Sequence, residues 1–154
     1  MAAGNVIVYD VFKQYLMDGT VTLGTNTIKV ALLTATYTPN LATHKLFGDV
    51  SNELTTANGY TAGGAALAGG TVNFDASANT TTFTATATTW TASGGNIGPF
   101  TYAVLYASGT LNGHVNPLIG YCKLDPSSLT IIDGNSLTVT WSASGILSIS
   151  GATS

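Results

Sequence analysis

The chain has 154 residues and very little charge: four Lys, seven Asp or Glu, no Arg, and a net charge of −3. Charged residues make up 7%, against about 25% in an ordinary soluble domain, and the mean hydropathy is too high for general disorder. Without a basic surface to neutralise phosphates, direct nucleic-acid binding is excluded, and no apolar run approaches the ~18 residues of a membrane helix.

In chain order, Met1-Ala2-Ala3-Gly4-Asn5 shows neither the basic nor the apolar region of a secretory leader, so synthesis in the cytoplasm is expected. A helix is predicted over about 6–18. Val8, Val11, Phe12, Tyr15 and Leu16 recur at helical spacing, with Asn5 as a possible cap and Gly19 as the stop. After Gly19 the period changes to two. Thr27–Thr34 reads as a strand, and Leu46–Val50 as a short irregular strand or a helical turn.

The segment 59–71 (GYTAGGAALAGGT) is glycine-rich. It reads either as a flexible arm or as an extended strand that another backbone approaches closely. The expectation is mobility in the free subunit and order on contact, because small residues bury little area. Val72 and Phe74 alternate with polar neighbours, 75–79 is a turn, and Thr80–Trp90 reads as one long threonine-rich strand. Ser93–Pro99 reads as a loop, Tyr102–Tyr106 as a core strand, and Ser108–Pro117 as a loop or hairpin. Leu118–Leu124, Ser136–Trp141 and Ile146–Ser150 complete the strands, and 125–128 and 132–135 read as turns. The expected fold is mainly β in a single domain over 1–154, an antiparallel sandwich or jelly-roll-like barrel with one N-terminal amphipathic helix. Trp90 and Trp141 are its expected core anchors.

The blocks VYDVFKQYLMDGT, TIKVALLTATYTPN, LATHKLFGDVSNEL, GYTAGGAAL, YAVLY, PLIGY and LTVTW followed by GILSIS resemble small structural proteins of tailed bacteriophages. The resemblance spans roughly Asn5 to Ser150 and rests on turn and core patterns. It implies a part of the virion: a capsid decoration or cement protein, or a neck or tail adaptor or fibre-attachment subunit. Its partners would then be copies of itself, in a trimer or ring, and major capsid or neck and tail proteins.

Signs of chemistry are sparse. His44 and His114 are 70 positions apart, without the close ligand pairs of a metal site. Asp49 and Glu53 could at most hold a hard cation with backbone carbonyls. Cys122 reads as a small apolar strand residue, and no nucleophile elbow occurs. No enzyme activity, cofactor or metal is therefore expected. Tyr60, Leu67, Tyr102, Tyr106 and Tyr121 are the interface candidates, because aromatic rows with polar tips suit protein contacts and sugar platforms alike, with core packing as the plainer reading of the aromatics. A carbohydrate-binding β module is the competing reading from another class.

Overall fold

The computed structural model describes residues 1–151. In chain order the elements are β1 (Ile7–Val8), α1 (Asp10–Met17), β2 (Ile28–Leu33), a 3-10 turn (Phe47–Asp49), β3 (Ala65–Ala66), β4 (Thr71–Asp75) and β5 (Thr80–Thr84). They continue as β6 (Thr88–Thr91), β7 (Ile97–Phe100), β8 (Tyr102–Ala107), β9 (Thr110–Leu111), β10 (His114–Val115), β11 (Leu118–Lys123), β12 (Leu129–Ile131), β13 (Ser136–Val139) and β14 (Leu147–Ser150). The chain is mainly β, its ladders are antiparallel, and α1 is the one α-helix among the described residues.

The helix is shorter than its apolar spacing predicted. Ile7 and Val8 pair with Tyr121 and Gly120, and the Tyr9 N–H donates to the Ile119 carbonyl. A ladder therefore claims the residues that would have formed the first turn, and Tyr9 rather than Asn5 is the N-cap. The other end stops as expected. Gly19 takes φ +73°, a region that costs glycine little. Phe12 and Tyr15 turn inward and are buried.

Strand order in the central sheet is β1-β11-β8-β2-β3, and both faces of this sheet are buried. Ile28, Val30, Leu32, Ala103, Leu105 and Ala107 point into the main core, with Phe12, Tyr15 and both tryptophans. Ala31, Leu33, Val104, Tyr106 and Leu118 point the other way, into a second core with Tyr9 and Tyr37. That second face is covered by residues 34–54, where Phe47 stacks on Tyr106 at 4.1 Å between centroids. This cover is tied down by backbone bonds from Thr34 to Asn52, Phe47 to Asn116, Leu54 to Leu32 and Leu118 to Lys45. Burial on both sides explains why VALL and AVLYA are nearly continuous apolar runs rather than alternations.

The other strands form a three-stranded sheet, β14-β5-β4, and the pairs β13-β6, β12-β7 and β10-β9. The long strand expected over Thr80–Trp90 is two strands. Between them the Thr86 N–H and hydroxyl both bond the Ala68 carbonyl, and the chain passes from β5 to β6. Part of the Ser93–Pro99 loop is also a strand: β7 runs through Pro99 and pairs with β12, which lay unread between two turns. Pro99 is tolerated because this pair is only two strands wide and proline needs no donor on an open edge. In the β9–β10 hairpin, Asn112 and Gly113 take φ +46° and +80°, as a type I′ turn requires. Leu46–Val50 resolves as the helical turn. Among the described residues no sheet closes on itself, so the barrel alternative is set aside.

Candidate functional site

The five sequence-derived interface candidates do not form one surface. Tyr60 and Tyr106 are 2% and 3% exposed, and their hydroxyls work inside the chain. The Tyr60 hydroxyl donates to Glu53 Oε1 at 2.7 Å and accepts the Leu32 N–H at 3.0 Å. The same Glu53 oxygen accepts the Gly63 N–H at 2.6 Å, and the Tyr106 hydroxyl donates to the Gly63 carbonyl at 2.6 Å. Burial pushes both phenols up, with the Glu53 carboxylate adding to it, Tyr106 to about 12. Together these bonds clip the glycine-rich segment to the edge of the central sheet. Leu67 is half-buried against the main core, its N–H bonded to the Ile28 carbonyl.

Tyr102 and Tyr121 are half-buried at the margin of the second core, with ring centroids 6.2 Å apart. Beneath them the Tyr9 and Tyr37 hydroxyls lie 2.5 Å apart, and Tyr37 also bonds His44 Nδ1 at 3.1 Å. His44 therefore joins the cover of the second core to its interior. His114 lies 5.0 Å from the Tyr15 ring. Cys122 is fully buried, and desolvation holds its thiol at about 12, which leaves almost no thiolate near neutrality. Among the described residues, no group of three His, Cys, Asp or Glu could hold a metal ion. Asp49, paired with Glu53 in the cation reading, instead accepts the Lys45 and Leu46 N–H groups at 2.8 and 2.9 Å.

The feature that sequence reasoning missed is the three-stranded sheet. Its register places Val72, Phe83 and Leu147 in one cross-strand row and Phe74, Thr81 and Ile149 in the next row on the same face. The opposite face is wholly polar: Thr71, Asn73 and Asp75 from β4, Thr80, Thr82 and Thr84 from β5, and Ser148 and Ser150 from β14. Phe83 is buried in the main core, but the apolar face continues outward past it. Val72 is 49% exposed, Ile149 64% and Phe74 68%. Between this face and α1 lies an apolar cleft of about 570 Å³, lined by Phe12, Leu16, Val21, Leu23, Phe83 and Ile149, with Lys13 its one charged lining residue. The signal was present in the sequence as V-x-F in β4 and L-x-I in β14. Alternation shows that such strands have an apolar face without showing what covers it.

Comparison with protein-family models, with curated proteins and with solved structures finds no match. Geometry and chemistry therefore carry the functional argument. The exposed part of this face is apolar and carries no charged side chain. Among the described residues no helix is long and apolar enough to cross a membrane.

Proposed function

We propose that this chain is a structural subunit of a tailed-bacteriophage virion: a self-associating decoration or cement protein that adds buried area at junctions of the shell. One observation carries the assembly part of this reading. The apolar face bearing Val72, Phe74 and Ile149 runs from the core into solvent, and a chain with 7% charged residues has little charge to keep copies apart. The virion part rests on the sequence resemblance. A sandwich-like packing of the central sheet through the main core onto the short β pairs would give this face a rigid support. Binding only to the assembled shell would stabilise it by mass action, without chemistry. A closed ring or trimer is the natural form for copies placed on a symmetry axis.

A neck or tail adaptor built on the same scaffold is the runner-up. Quantitative mass spectrometry and labelled electron microscopy of purified particles separate the two. Copies spread over the shell are expected for decoration, whereas a single ring at one vertex would move the chain to the neck or tail. Absence from particles would overturn both.

A further inference from the structure

We propose that β4 is a self-pairing edge, through which two copies of this chain join antiparallel over Thr71–Asp75 about a two-fold axis at Asn73. The inference rests on the self-association in the reading above and adds to it a two-fold contact, distinct from the contacts that would close a ring or trimer; its test is separate from that of particle attachment. β4 is the last strand of its sheet and all five of its residues are exposed. Its backbone makes no hydrogen bond beyond its ladder with β5 among the described residues. Natural edges are commonly blunted by lysine, proline, a bulge or a covering segment. β4 has no Lys and no Pro, and its register with β5 runs unbroken through five pairs.

The strand is complementary to itself. A two-fold axis at Asn73 sets Val72 opposite Phe74 of the second copy, twice, and Thr71 opposite Asp75, twice. Because side chains alternate with a period of two, this odd centre keeps all four apolar residues on one face, continuing the row begun by Phe83 and Leu147. Moving the axis to lie between two residues sets Val72 against Asn73, and apolar against polar throughout. The only charge on the strand, Asp75, meets a threonine hydroxyl instead of its own copy. A five-residue strand with one exposed aromatic covers roughly 300–500 Å² per partner, below the ~800 Å² of a stable interface. Pairing is therefore weak in dilute solution and fills as concentration rises or as copies are arrayed.

Directly opposed residues of an antiparallel pair have Cα atoms ~4.5–5.5 Å apart, within disulfide reach. The test is mild oxidation of variants with one added cysteine at high protein concentration, read by non-reducing electrophoresis. The native Cys122 is buried and stays silent. Asn73→Cys alone should give a disulfide dimer. Thr71→Cys and Asp75→Cys should each remain monomeric alone and link when mixed. Adding Phe74→Lys to Asn73→Cys should remove most of the link while the circular dichroism spectrum stays unchanged. Absence of a dimer from Asn73→Cys would overturn the proposal, as would equal linking by Thr71→Cys on its own.

Discussion

Phe12 is buried between α1 and the main core, so Phe12→Ala should cost about 3–5 kcal/mol in denaturant unfolding. A loss under ~1 kcal/mol would place the ring outside the core. Tyr60→Phe removes less volume but strands two groups: the Leu32 N–H loses its acceptor and Glu53 loses a donor. It should cost about 1–3 kcal/mol, the usual penalty for an unsatisfied buried group. Burial of phenols and of one thiol also sets the alkaline limit. Cys122 is raised from 9.0 to about 12 and Tyr106 from 10.0 to about 12. Between those values the unfolded chain loses protons that the folded chain keeps. Stability should therefore be full below about pH 9 and fall as pH rises towards 12. At the acid end the sign reverses. Asp49 is held below its ordinary value by the Leu46 and Lys45 N–H groups, and Asp18 by its bonds with Thr20. Their contribution is present above pH 3.8 and is lost as pH falls through the lowered values. Midpoints of urea unfolding taken from pH 2 to 12 check both limbs, and a flat alkaline limb would show that these groups are not buried.

Among the elements, the glycine-rich segment has two readings from sequence, a flexible arm or an extended strand. It takes the strand form at Ala65–Ala66, where β3 pairs with β2, with a backbone approach so close that a Cβ on Gly64 would collide with the Val30 carbonyl. The ordering needed for contact is thus supplied within one chain by Glu53, Tyr60 and Tyr106. Amide exchange at Gly63 and Leu67 should be slow in the free protein, and Glu53→Gln should accelerate Gly63 by weakening its acceptor. Fast exchange at Gly63 in the unmodified chain would show the clip to be open. Period and punctuation made β2, β8, β11 and the end of α1 legible, because each is a run whose neighbours agree with it. Where a distant partner decides, the sequence is silent: Ile7 and Val8 fit a helix until Tyr121 and Gly120 take them into a ladder. The candidate site was legible only in part. Tyr60 and Tyr106 read as interface candidates, Tyr106 on a strand also read as core, yet their polar tips meet Glu53 and Gly63, a pairing that no local pattern encodes.

For the whole molecule, the proposed attachment to particles by an apolar face and paired edges would have a solvent signature. Raising NaCl from about 0.05 to about 1 M screens exposed charges yet should leave the fraction co-sedimenting with particles nearly unchanged. Guanidinium, which solvates apolar and peptide groups, should strip the subunit before the shell fails. Release by NaCl alone would show that lysines such as Lys13 or Lys45 dominate the contact. The order β1-β11-β8-β2-β3 also dictates a timetable for biosynthesis. β2, between β3 and the central strand β8, is made early, and β8 and then β11 follow much later; 90 residues separate Leu33 from Lys123. At ~5–20 residues per second that interval lasts roughly 5–18 s, during which residues 34–54 become available to cover one face of IKVALL but its long ladder partner is still missing. Non-local ladders close in milliseconds to seconds once the strands are available. The ribosome, more than the folding barrier, sets how long this strand is open to aggregation. Slower translation through residues 34–123 should lower the soluble yield, and a chain cut before Tyr102 should have no central sheet to form.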